Sequence, residues 1–202
     1  MSKLANNLMQ RGCLKTDALI DAFAEISRAE FVPEKFRNIH KADISVPLGF
    51  GQIMPAPSII ATMLELLEPA KGQTILVAGF GTGWVSTLLC HIVGASGQII
   101  SCDKSIAMEK IARVNIQNYS FVMQGQNMEL FTVNSCSDLG EKWKFDRIIV
   151  LNPIFSQCQL EKHLKVGGRL VAPQDNIVCS YMRKSSQEIE CQKHPDLQFL
   201  PT

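Results

Sequence analysis

Three glycines at alternate positions, in Gly79-Phe80-Gly81-Thr82-Gly83, follow the apolar run Ile75-Leu76-Val77-Ala78 and lead into Trp84. This reads as a buried strand, a tight turn and a helix start. Glycine accepts positive φ and carries no Cβ, so backbone and helix N-terminus from Ala78 to Trp84 can approach a ligand closely. Twenty positions beyond Gly83, the run Gln98-Ile99-Ile100-Ser101-Cys102 ends in Asp103-Lys104. Alone, Asp103 reads equally as a cap for a helix beginning near Ser105. Two other loop chemistries fit poorly. A dinucleotide loop needs Gly-x-Gly-x-x-Gly/Ala, but the third residue after Gly81 is the bulky Trp84, and a phosphate loop needs Gly-Lys-Ser/Thr, which is absent.

The elements that must hold this loop alternate. Helix is expected over 58–67, 83–93, 106–116 and 157–164, and strand over 74–78, 98–102, 128–133, 147–151 and 169–172. Continuous apolar strands between helices imply a doubly wound α/β sheet, parallel and covered on both faces. Strand-like pieces over 177–182 and 188–191 suggest a closing antiparallel hairpin, while 119–125 reads as strand or as a helix tail. The first third reads as helical, with Leu19, Ile20, Phe23 and Ile26 at helical spacing, Thr16 and Asp17 as caps, and a short helix over 34–38. Pro47, Gly49, Gly51, Pro55 and Pro57 make 44–57 an irregular loop of the length that usually carries function. One domain over 1–202 is expected, divided into N-terminal helices and loop (1–57), core (58–175) and C-terminal hairpin (176–202).

The 202 residues are 46 % hydrophobic and 19 % charged, a globular profile. Twenty basic against nineteen acidic side chains leave +1, which argues against nucleic acid as the main partner. With no apolar run of membrane-spanning length and no signal-like start, a cytoplasmic protein without membrane association is expected. The seven cysteines include no Cys-x-x-Cys. Cys191 with His194, and Cys158 with His163, lack a second ligand pair, so no metal site is expected and most cysteines read as buried small hydrophobes.

Gly-x-Gly-x-Gly after the first core strand resembles the cofactor loop of class I S-adenosylmethionine-dependent methyltransferases. That resemblance implies a Rossmann-like sheet in which Asp103 accepts from two ribose hydroxyls, with Lys104 beside it. Further segments resemble one family, the protein-L-isoaspartate O-methyltransferases. They are Arg28-Ala29-Glu30-Phe31-Val32-Pro33-Glu34, Pro47-Leu48-Gly49-Phe50-Gly51-Gln52, Phe145-Asp146-Arg147-Ile148-Ile149-Val150 and Leu164-Lys165-Val166-Gly167-Gly168-Arg169-Leu170-Val171. The resemblance spans about 4–173. It implies S-adenosylmethionine as cofactor and methylation of isoaspartyl carboxylates in damaged proteins, a repair activity. It also implies an unusual C-terminal sheet, and a monomer is expected. The substrate loop it marks is Gly51, Gln52, Ile53 and Met54.

The departures from the family are specific. Where the family reads Thr-Ile-Ser-Gln-Pro, this chain has Ile53-Met54-Pro55-Ala56-Pro57, so Pro55 stands at the serine position with neither hydroxyl nor N–H. Val77 replaces the acid two residues before the first glycine. The family's adenine-facing Gly-Asp-Gly falls on Val133-Asn134-Ser135, or alternatively on Gly125-Gln126-Asn127. Activity altered or lost is therefore one expectation, leaving a relative that binds cofactor or a partner without turnover. Leu151-Asn152-Pro153-Ile154-Phe155 partly resembles the Asn-Pro-Pro-Tyr/Phe motif of amino-group methyltransferases, and a strand-ending turn is its plainer reading. Phe80 and Trp84 read either as cofactor contacts or as core. His40, His91, Lys35, Arg37 and Lys41 read as surface or packing residues.

Overall fold

The computed structural model describes residues 2–120, 127–133, 135–140 and 142–199. In chain order the described elements are α1 (Lys3–Gln10), α2 (Asp17–Glu25), β1 (Val46–Gly49), β2 (Gln52–Met54), α3 (Pro57–Leu67), β3 (Thr74–Ala78), α4 (Trp84–Val93), β4 (Gln98–Asp103), α5 (Ile106–Ile116), β5 (Met128–Thr132), β6 (Phe145–Val150), α6 (Gln157–Leu160), β7 (Leu164–Gln174), β8 (Ile177–Arg183) and β9 (Ile189–Gln198). Short 3₁₀ turns join several of them. The main sheet has the order β5-β4-β3-β6-β7-β8-β9. From β5 to β7 neighbouring strands are parallel, and β8 and β9 then add antiparallel in sequence order.

Why the strands read as unbroken apolar runs is now plain. Alternate residues face opposite sides, and both sides are dry. Ile75, Val77, Ile99, Ile149 and Val171 pack with the cluster that holds α1 to α5, whereas Leu76, Ala78, Ile100, Ile148 and Leu170 pack with Phe145, Phe155 and Leu160 on the other face. From β3 the chain winds outward through β4 to β5, then returns to the opposite side of β3 as β6. The order reverses there, and in open parallel sheets such a reversal leaves a crevice beyond the carboxyl ends of the strands. The glycine loop leaves β3 at that point.

Differences from the sequence reading have local causes. Within 44–57, β1 and β2 form a separate two-stranded hairpin with Phe50 and Gly51 at its tip, both at positive φ. Pro47 is tolerated because, among the described residues, no third strand pairs with this hairpin to need its missing N–H. The helix expected over 157–164 stops at Leu160, continues as one 3₁₀ turn over Glu161–His163, and gives way to β7 at Leu164. Strand β7 thus starts five residues before the expected 169, with a register shift between Phe145 and Arg147 on its partner. Strand β9 runs on to Gln198 rather than ending at Cys191. At the N-terminus, Ser2 caps α1 by accepting from the Ala5 N–H at 3.1 Å, and Leu4, Ala5 and Leu8 bury its apolar stripe. Most of the ambiguous stretch 119–125 lies outside the described residues. Among the described cysteines, Cys90, Cys102 and Cys179 are buried as expected, Cys13 is half-buried and Cys191 is exposed.

Candidate functional site

Strand β3 ends at Ala78, and Gly79 turns the chain at φ +89°. A Cβ on Gly79 would lie 2.5 Å from the Asn152 Cβ and 2.7 Å from the Asn152 backbone nitrogen. Gly79 is therefore needed for contact between the ends of β3 and β6, as well as for its backbone angle. Gly79→Ala should cost ~3 kcal/mol or more, combining left-handed strain with overlap against backbone. In urea unfolding this appears as a lower midpoint at unchanged slope.

Gly81, at φ +54°, turns its N–H onto Asp103 Oδ2 at 3.1 Å. Asp103 ends β4 and is fully buried. Its Oδ1 accepts from the Ser105 N–H at 3.0 Å and from Gln52 Nε2 at 2.9 Å. The cap of α5 is Ser105, which accepts from the Met108 N–H at 3.2 Å; Asp103 braces the turn before it through the Ser105 N–H. Gln52 comes from the hairpin, 51 residues away in sequence. The open cradle expected over 78–84 is thus narrowed from above. Leu48 and Gln52 approach Gly81 closely, and the Gln52 amide sits on the carboxylate.

Below the hairpin lies a cavity of about 40 Å³, lined by Ile53, Met54 and Pro55 from the loop and by Gly79, Phe80, Thr82, Trp84 and Asn152 from the sheet ends. It has room for roughly three waters at ~10–15 Å³ each. Outside it, between the hairpin tip, Lys104 and the Asn152–Ile154 turn, runs an open groove of about 680 Å³. No acidic side chain lines either space among the described residues. Thr82 Oγ1 and Trp84 Nε1 are buried without a hydrogen-bond partner among the described residues, an unpaired state that usually costs about 1–3 kcal/mol per group.

What holds the hairpin over the loop is Arg28. It is 1 % exposed and, among the described residues, donates to neutral acceptors: His40 O at 3.3 Å, Ala42 O at 3.1 Å, Ile44 O at 2.9 Å and Met54 Sδ at 3.3 Å. Its guanidinium lies 5.7 Å from the centre of the Trp84 ring, whose edge meets Phe23. Burial pushes the group down to about 10, against the opposing charge of Asp43, so it stays cationic at neutral pH. Asp43 itself accepts from the Ser58 N–H at 2.8 Å at the start of α3, and pairs with Arg11. Burial raises its pKa, but the Ser58 N–H and Arg11 outweigh that and leave it below the ordinary value. Within Arg28-Ala29-Glu30-Phe31-Val32-Pro33-Glu34 the sequence alone gives Arg28 no task. With Glu25, Ser27 and Glu30 around it, Arg28 reads in the sequence as one more surface charge, so its burial leaves no local signal.

The remaining expected residues divide. Ala78, Phe80 and Trp84 are core residues, of which Phe80 and Trp84 also line the cavity, while Gly83 starts α4. Gly51 and Lys104 border the groove. Val77 points into the helical core, away from the crevice. Ser135 follows β5 and donates its N–H to Asp138 at 3.2 Å, and Asn134 lies outside the described residues. Of the alternative segment, only Asn127 is described. It is buried, donating to Gly94 O at 2.8 Å and accepting from Cys90 Sγ, so it serves packing at the opposite end of β4. Asn152 Oδ1 accepts from the Ile154 N–H at 3.1 Å, which makes the Asn-Pro segment a self-bonded turn. His91 pairs with Asp21 between α4 and α2, and His40 bonds the Arg37 carbonyl.

Comparison with known proteins gives a consistent picture. Curated relatives include the protein-L-isoaspartate O-methyltransferase of Methanopyrus kandleri, 28 % identical over 173 residues that cover 85 % of this chain and 75 % of that one. The Roseiflexus protein of the same name is 27 % identical over 199 residues, covering 96 % and 87 %. A solved Plasmodium falciparum structure, described as a protein-L-isoaspartate O-methyltransferase in complex with S-adenosyl-L-homocysteine, shares the fold at TM-score 0.82 and 18 % identity, over 95 % and 92 % of the chains. The family model for protein-L-isoaspartate(D-aspartate) O-methyltransferase matches residues 1–202. With that match running the whole length and the sheet, glycine loop and strand-end aspartate in place, the chain belongs to the protein-L-isoaspartate(D-aspartate) O-methyltransferase family.

Proposed function

We propose that the chain transfers a methyl group from S-adenosylmethionine to the carboxylate of isoaspartyl residues in aged proteins and peptides. The observation that carries this reading is Asp103: a buried carboxylate at the end of β4, beside the strand reversal, with the Gly81 N–H fixing one oxygen. Two vicinal hydroxyls match its acceptors. Trp84 Nε1 and Thr82 Oγ1, buried and unpaired nearby, suit a polar ligand. Bound there, the cofactor supplies an electrophilic methyl on a sulfonium.

The chain's own task is then alignment. An aspartyl-type carboxylate, with a reference pKa of about 3.9, is already ionised at neutral pH and needs no general base. Ile53, Met54 and Leu151 wall the cavity with apolar surface that strips water from the reacting oxygen. Gln52 and the backbone at Gly51 supply donors from the loop. Pro55 lines the cavity where the family has serine and supplies none.

That position decides between an enzyme and a relative that only binds. Methyl transfer from radiolabelled S-adenosylmethionine to an isoaspartyl peptide tests it, with Pro55→Ser alongside. Restoring one orienting hydroxyl should raise kcat/KM on the order of 10²-fold. Equal rates would remove the hydroxyl from the account, and no transfer by either protein would leave the binding relative. Amide or adenine acceptors should take up no label, because the Asn152 side-chain oxygen is already committed to its own turn.

A further inference from the structure

Asp103 borders neither the cavity nor the groove, although it sits between them, because the Gln52 carboxamide covers it. Its Oδ1 already takes two donors, Ser105 N–H and Gln52 Nε2, and Oδ2 takes the Gly81 N–H. A carboxylate offers about four acceptor sites. Two hydroxyls cannot both be seated while Gln52 stays. The hairpin has to release Asp103 before a sugar can bind.

The released group has a second use. Gln52 starts β2, and the residues that follow it, Ile53, Met54 and Pro55, line the cavity where a carboxylate would meet a methyl donor. None of these three side chains is a hydrogen-bond donor. The freed amide N–H₂ is then the side-chain donor on this strand that can reach an anionic oxygen. Only the tip has to give: Val46, Leu48 and Met54 stay in the core and Arg28 anchors Met54, whereas the tip residue Phe50 lies at φ +53° and is 70 % exposed, in a two-stranded sheet separate from the main one.

We infer that Gln52 couples the two halves of the site, competing with the cofactor's ribose for Asp103 when the protein is empty and, once displaced, orienting the substrate carboxylate. This rests on the reading of Asp103 as the ribose ligand. Cofactor should therefore bind first, and substrate should bind well only afterwards.

Calorimetric titration of the full chain tests the inference, using S-adenosylhomocysteine and an isoaspartyl peptide on wild type, Gln52→Met and Gln52→Ala. Methionine matches the length of glutamine without its amide. Both variants should bind S-adenosylhomocysteine about tenfold more tightly than wild type, since a competitor for Asp103 is gone. Wild type should bind the peptide at least tenfold more tightly with S-adenosylhomocysteine present than without, and both variants should lose that gain. If the variants bind S-adenosylhomocysteine equally or more weakly, or the peptide gain survives in them, the inference is wrong while the Asp103 reading stands. If S-adenosylhomocysteine binds none of the three proteins, the Asp103 reading falls and takes the inference with it.

Discussion

Replacing Asp103 by asparagine should weaken S-adenosylhomocysteine binding by about 100-fold or more. Hydrogen bonds to a charged acceptor contribute ~1.5–3 kcal/mol each, and two hydroxyls would lose that charge together. The substitution also places an amide N–H₂ against either the Gly81 N–H or the Gln52 and Ser105 donors, so one donor pair must face another. The fold should survive. The neighbouring apolar contacts of β4 are unchanged, and the new amide can still accept through its one oxygen. Isothermal calorimetry measures the affinity loss, and circular dichroism checks that the sheet persists. Affinity within a fewfold of wild type would mean that the carboxylate does no more than brace the turn before α5.

The second large effect concerns stability. Arg28→Ala should destabilise the protein by ~3–5 kcal/mol, because it empties a fully buried volume beside Trp84 and leaves three loop carbonyls and the Met54 sulfur without their donor. At this chain length ~3–5 kcal/mol corresponds to a Tm lowered by roughly 6–20 °C. Arg28→Lys should recover only part of the loss, since an ammonium cannot span acceptors on three separate residues as the planar guanidinium does. Differential scanning calorimetry of the two variants would show the ranking. The alanine variant should also bind peptide poorly, because the base of the hairpin loses its anchor. A Tm within 2 °C of wild type would show that these carbonyls are served equally well by water.

How much of this was legible in advance follows from the range of each interaction. Strand β3 over 74–78 and helix α5 over 106–116 lie where periodicity put them, because their burial on both faces or on one stripe is written into consecutive residues. The glycine loop and Asp103 were legible for the same reason: each sits at a strand end that hydrophobic runs define. The hairpin was not. With Pro47, Gly49 and Gly51 in so short a span its alternation is broken, and only pairing across the tip makes it a sheet. The same limit hid Arg28 and the Gln52–Asp103 contact. One side chain reaches 12 to 26 residues along the chain and the other reaches 51, and neither separation leaves a local pattern. The length of β7 was missed because Gly167 and Gly168 have no side chains with which to continue an apolar alternation ahead of Arg169. In the fold Gly168 allows close approach to the Lys165 and Asp146 carbonyls inside one continuous strand.

Co-crystallisation with S-adenosylhomocysteine tests the central assignment most directly. Both ribose hydroxyls should lie within hydrogen-bond distance of the Asp103 carboxylate, the Gly81 amide should still face it, and the Gln52 side chain should have swung off Oδ1. A nucleoside bound elsewhere, or in the crevice with Gln52 still closed over Asp103, would contradict the account.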